Sequence, residues 1–238
     1  MSGSGRPEST PIQSLGRELK FVLSNARAPL ALSVLRAHCQ PDPKHPVGTV
    51  SSIYYDNHGL RLLREKVNSD YLKTKVRLRW YDRALDAHGF IEAKFRVGDR
   101  RDKIRVQTPH TAHWLAATPL HEPLLVRVPE LLRPHGLWVD PGLRPLFQVR
   151  YRRHRFIEPL TGSRVSLDAD IRVPATNSSA LRFPAPVSLG SAVVEIKGPQ
   201  TELPVVLREL LHLGCRRSSF SKYGSAYQCL AGRGLVTT

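Results

Sequence analysis

Residues 75–82 read Lys-Val-Arg-Leu-Arg-Trp-Tyr-Asp. Successive side chains of a strand point to opposite sides, so Lys75, Arg77 and Arg79 share one face while Val76, Leu78 and Trp80 share the other. The same spacing returns in Glu92, Lys94 and Arg96, in Lys103 and Arg105, in Glu18 and Lys20, and in Glu195 and Lys197. For any one strand the plain reading is an apolar face on the core and a charged face in water. Five such strands strain that reading, because a solvated face normally intersperses both signs, whereas here Arg and Lys dominate and carboxylates stand singly. Cations crowded on one surface repel each other unless a polyanion, with or without a metal ion, sits among them.

Outward from this stretch, the period of two also marks 17–23, 47–56, 89–97, 103–107, 146–157, 164–173 and 191–197, about eight strands with 71–82 included. Residues 26–38 and 202–213 carry helical stripes, Pro204 fitting a first helical turn. The segment 110–136 reads as a short helical insertion around Trp114, Leu115, Leu131 and Leu132, and the Pro- and Ser-rich 174–190 reads as a loop. Residues 1–14 are expected to be a disordered tail, 15–232 one domain and 233–238 a C-terminal tail. If the charged faces line a closed barrel, the apolar faces point outward and need a coat, which the three helical segments supply. The expected fold class is α+β: an antiparallel eight-stranded β-barrel, basic within, with helices packed on its outside.

A chain of 238 residues with 41% apolar content is long enough for one folded domain and too apolar for general disorder. It holds 36 Lys and Arg against 20 Asp and Glu, a net charge of +16. That surplus points to nucleic acid, an anionic membrane or phosphate chains. No apolar run approaches a membrane span and residues 1–14 lack a signal-peptide core, so a soluble, cytoplasmic protein is expected. Cys39, Cys215 and Cys229 lack metal-ligand spacing and read as buried thiols. His110, His113 and His154 read as solvated histidines. The chain contains neither a P-loop nor a nucleophile elbow. An RNA-binding module would use Trp80, Tyr81, Tyr151 and Phe156 as stacking platforms, but these fall largely on the faces opposite the Arg and Lys residues.

Ten pieces in order resemble the VTC-type polyphosphate polymerase domain, a member of the CYTH-like triphosphate tunnel metalloenzymes. They are E-x-K at 18–20, SSIYYDN ending at Asn57, REK at 64–66, KVRLRWYD at 75–82, IEAKFR at 91–96, KIR at 103–105, YRRHRF at 151–156, RVSLDADI at 164–171, VEIKG at 194–198 and SFSKYGSAY at 219–227. The resemblance implies an eight-stranded tunnel and metal-dependent transfer of the γ-phosphate of ATP onto a polyphosphate chain. It implies Lys20, Arg77, Arg79, Arg153 and Lys222 as catalytic residues and Lys66, Lys94, Lys103, Arg105 and Ser221 as further phosphate ligands. Glu195 matches the family's metal-binding glutamate, and Glu18 the second glutamate of an E-x-E-x-K pattern whose first position is Gly16, which favours one Mn²⁺ or Mg²⁺. Asp168 and Asp170 could join that metal or pair with tunnel arginines. The family's lysine before the SKY serine is Ser219 here, and Arg216 or Arg217 could substitute. The implied partners are ATP, triphosphate and polyphosphate, with a membrane-associated protein that could recruit the chain to the inner face of a membrane, and no DNA. The same ligands with water as acceptor would make a triphosphatase, and without turnover a polyphosphate- or RNA-binding module.

Overall fold

The computed structural model describes residues 17–67, 72–82, 86–97, 100–183 and 185–234. In chain order the elements are β1 (Arg17–Ser24), α1 (Ala28–His38), β2 (Gln40–Pro41), β3 (Val47–Asp56), α2 (Arg61–Val67), β4 (Leu72–Tyr81), β5 (His88–Val97) and β6 (Arg100–Thr111). There follow α3 (Ala112–Ala117), α4 (Pro123–Arg127), β7 (Arg144–Ile157), β8 (Arg164–Val173), β9 (Val187–Ser188), β10 (Ser191–Gly198), α5 (Glu209–His212), β11 (Arg216–Arg217) and α6 (Lys222–Gly234). Short 3₁₀ stretches at Val128–His135 and Val205–Leu207 extend the helical segments.

Among the described residues the strands form one antiparallel sheet in the order β11-β1-β10-β8-β7-β3-β4-β5-β6, with β2 on β7 and β9 on β8. Among the described residues the sheet has eleven strands and is not closed, since no pairing joins β6 to β1 or β11, in place of the closed eight-stranded barrel expected. On the outer edge of β1, Arg216 and Arg217 pair with Val22 and Phe21, and the Ser218 amide donates to the Lys20 carbonyl, so the segment leading into α6 occupies the middle of that edge. The sheet nevertheless curls far enough for Lys94 of β5 to feel the charges of Glu18 on β1 and Lys197 on β10.

The alternation read from the sequence decides which side is coated. Val76, Leu78, Trp80, Ile91 and Ala93 face outward and pack against Leu115, Leu125, Val128 and Leu132 of α3, α4 and the following 3₁₀ turn. A second coat, α1 with α5 and the 3₁₀ turn Val205–Leu207, covers Leu19, Phe21, Leu23, Leu167, Val194 and Ile196 through Ala31, Leu35, Leu207 and Leu210. Each fully buried Val, Leu, Ile or Phe side chain contributes about 1.5–3 kcal/mol over its exposed state. The helix expected over 202–213 is broken into that 3₁₀ turn and the four-residue α5. Strand β7 departs from the rule, since its outward Arg150 and Arg152 are exposed.

Helix α6 lies beyond the helices expected from the sequence and packs on the concave side. Tyr223, Ala226 and Leu230 meet Val149, Tyr151, Ile171 and Val193 there, filling one end of the curl with apolar contact. Its seat is fixed by Asp56, a fully buried carboxylate. Asp56 accepts from the Leu62 and Leu63 amides, capping α2, and from the Tyr223 hydroxyl at 2.6 Å. What α6 leaves open at the other end is the charged half of the concave face.

Candidate functional site

Glu18 and Lys20 of β1, Lys75, Arg77 and Arg79 of β4, Lys94 of β5, Arg153 of β7, and Glu195 and Lys197 of β10 line one cavity. Ser221 and Lys222 at the start of α6 close it, with Tyr54, Tyr151, Val193 and Phe220 in its walls, so Tyr151 shares the face of the cations instead of the opposite face on which the aromatics were largely expected. The fold thus brings together nine residues expected from the resemblance: Lys20, Arg77, Arg79, Lys94, Arg153, Ser221, Lys222, Glu18 and Glu195. It adds Lys75 and Lys197, which the two-residue period already put on the right faces.

Other expectations are corrected. Lys103 and Arg105 are not among the residues lining the cavity: β6 is the end strand of the sheet, one strand beyond β5, and they meet the far side of Glu92 at 2.8 and 3.7 Å. Arg216 and Arg217 are exposed on the outer edge of β1 and substitute for nothing in the cavity. The side chain of Lys66 lies outside the described residues. Asp168 and Asp170 do not share a face. An extra residue on β8 relative to β7, within 169–172, and a left-handed backbone at Asp170 (φ 53°) turn Asp170 outward, where its carboxylate and amide bond the Asn25 side chain. Of the cysteines, Cys39 and Cys215 are buried and Cys229 is half-buried.

Three buried anchors aim the arginines. The Arg77 Nε and Nη2 both donate to Glu92 Oε2, at 2.8 and 2.7 Å. Glu92 is 1% exposed, and although burial raises its pKa, Arg77, Arg79 and Lys103 outweigh that and hold it far below the usual carboxylate range. Arg153 makes a two-pronged pair with Asp168 at 2.5 and 2.7 Å, and the Lys222 ammonium reaches the same carboxylate at 2.5 Å. Burial pushes Asp168 up, but Arg153 and Lys222 bring it down to about 2. Asp168 therefore serves the cations. Arg79, 6% exposed, donates from Nε to Ser52 Oγ at 3.1 Å and from Nη2 to the Tyr151 hydroxyl at 3.2 Å. Lys75 donates to Ser221 Oγ at 3.2 Å.

Glu18 and Glu195 face the cavity from neighbouring strands whose register sets Glu18 opposite Lys197 and Lys20 opposite Glu195. Lys20 lies 2.8 Å from Glu18, and Lys197 lies 2.7 Å from Glu195 and 3.9 Å from Glu18. Burial raises Glu195, yet Lys197, Arg153 and Lys20 hold it well below its ordinary value. Both carboxylates stay charged. Among the described residues no group of three His, Cys, Asp or Glu is placed to hold a metal. Two hard carboxylates facing a phosphate-sized set of cations still fit Mg²⁺ or Mn²⁺, which commonly take one or two carboxylates and complete their shell with water and substrate phosphate oxygens.

The sequence profile of the VTC domain matches residues 16–231. The chain belongs to the VTC-domain family. No curated protein sequence matches it significantly. Among solved structures it is similar to a provisionally named adenylate cyclase from Bacillus halodurans, with a TM-score of 0.52 and 13% identity over 87% of this chain and 94% of that one. Another provisionally named adenylate cyclase, from Vibrio parahaemolyticus, aligns with a TM-score of 0.45 and 13% identity over 89% and 97% of the two chains. At such identity the first likeness is one of fold. No helix among the described residues is long and apolar enough to cross a membrane.

Proposed function

We propose that this VTC domain binds a triphosphate or polyphosphate in the cavity and catalyses metal-dependent phosphoryl transfer, with ATP as donor and a phosphate chain as acceptor. The observation that carries the reading is the convergence of eight Lys and Arg side chains from β1, β4, β5, β7, β10 and α6 on one cavity that two carboxylates also face. Phosphoryl transfer needs positioning and charge stabilisation more than a protein nucleophile, and cations fixed beforehand supply both. Arg77, Arg79 and Arg153 are aimed by Glu92, Ser52 with Tyr151, and Asp168 respectively, so their guanidinium groups are fixed in the cavity before a phosphate arrives. Lys20, Lys94 and Lys222 act as point charges around the same anion. Glu18 and Glu195 would hold Mn²⁺ or Mg²⁺, whose bound charge neutralises phosphate oxygens. The product chain would pass to a membrane-associated partner.

Incubating the purified protein with ATP and either Mn²⁺ or Mg²⁺, and assaying polyphosphate and free phosphate separately, tests this. Polyphosphate accumulation supports polymerase chemistry. Free phosphate alone makes the protein a triphosphatase, and no turnover with either metal leaves a polyanion-binding module.

A further inference from the structure

Among the described residues, Lys197 is the cation of this cavity whose ammonium pairs with both carboxylates, at 2.7 Å from Glu195 and 3.9 Å from Glu18. Two residues after Glu195 on β10, it points to the same face, and the β1–β10 register sets it opposite Glu18. Lys20 has a different tie, because its ammonium lies against Glu18 and also donates to the Phe220 carbonyl at 3.4 Å. We propose that Lys197 is a resident stand-in for the divalent cation, holding the space between Glu18 and Glu195 until a phosphate chain draws its ammonium away. The inference rests on reading that pair as the metal site.

A divalent ion held by both carboxylates sits between them, at about 2.0–2.1 Å from their oxygens for Mg²⁺, and the Lys197 ammonium, lying against both, stands in that position and repels it. A phosphate chain changes the balance by offering Lys197 other acceptors. The side chain is 38% exposed on a long flexible stem, so it has room to swing toward them. Metal and phosphate chain then assist each other, and linkage makes the assistance reciprocal. Without the anion the metal must displace Lys197 unaided, so metal alone binds weakly.

The probe is Mn²⁺ alone in phosphate-free buffer, titrated into the protein while free aqueous Mn²⁺ is read by electron paramagnetic resonance. Lys197→Met, which keeps the stem and removes the charge, is expected to bind Mn²⁺ about tenfold or more tighter than the parent, a ratio typical of coupled sites. Lys197→Gln should behave alike, and Lys197→Arg should stay as weak as the parent. Lys94→Met removes another cavity cation that pairs with neither carboxylate, and should tighten binding far less. Equal Mn²⁺ affinity in parent and Lys197→Met, or equal tightening by Lys94→Met, overturns the inference while leaving a metal site that Glu195→Gln abolishes. Unchanged Mn²⁺ binding in Glu195→Gln overturns the metal reading itself.

Discussion

Burial, then the neighbouring charges of Arg77 and Lys197, push the Lys94 ammonium down to about 7, against weaker support from Glu18 and Glu92. Between that value and the ordinary lysine range the unfolded chain binds the extra proton, so this group makes the free protein more stable as pH rises through the window. Ligand binding has the opposite sign. A phosphate chain favours the charged ammonium, so binding takes up a proton above about pH 7 and its affinity falls as pH rises. Tripolyphosphate affinity measured from pH 6 to 9 should therefore fall more steeply for the parent than for Lys94→Met, a comparison in which the ligand's own titration cancels. Parallel profiles would remove Lys94 from the binding set. Glu195 bears a different expectation. Glu195→Gln keeps the size and removes the charge, so metal-dependent turnover should drop about a hundredfold or more, as for loss of a principal electrostatic group. Tripolyphosphate binding without metal should persist, and unchanged turnover would clear Glu195 of the role.

The way α6 is docked makes an element-scale test. Its Tyr223 hydroxyl is one of three donors to the buried Asp56 carboxylate from other elements, the others being the Leu62 and Leu63 amides. Tyr223→Phe leaves that charge short of a donor and should cost about 1–3 kcal/mol, read as a lower urea midpoint. Tyr227→Phe on the same helix should stay within about 0.5 kcal/mol of the parent. Equal effects would mean that Asp56 does not seat the helix. This helix also marks where sequence reading runs out. Strands announce themselves because every second residue of β4 or β10 repeats one chemistry, so the same alternation located the inner face, Lys75 and Lys197 included. The sequence of α6, KYGSAYQCLAGRG, does place Tyr223, Ala226, Tyr227 and Leu230 at helical spacing, but its three glycines lower helix propensity and mask that stripe, whose partner is a curved sheet formed only on folding. Nor could alternation say how far along the inner face a residue sits. Lys103 and Arg105 have the right orientation but sit on the end strand β6, one strand beyond the cavity, and the pairing of Arg216 and Arg217 on β1 joins residues nearly two hundred positions apart.

At the scale of the molecule the question is where +16 is felt. The cavity and the Glu92 cluster gather ten cations against four carboxylates, so more than half of the surplus lies elsewhere, including the exposed Arg150, Arg152 and Arg172. Two effects of salt then oppose each other. Screening relieves repulsion among the cations of the free protein and raises its melting temperature. The same screening weakens the grip on a polyanion, because phosphate contacts are paid back in released counter-ions. At low salt, tripolyphosphate at about a hundred times its Kd should add about 2.7 kcal/mol, which for a domain of this size is a rise of about 5–10 °C. Moving from about 50 to 500 mM NaCl, which shortens the Debye length about threefold, should raise the melting temperature of the free protein and shrink the shift caused by a fixed tripolyphosphate concentration. Following both by calorimetry separates a charged cavity from a charged coat. If salt raises the free protein's melting temperature but leaves the ligand shift intact, the anion is held by something other than the cations lining the cavity, and the site assignment fails at its root.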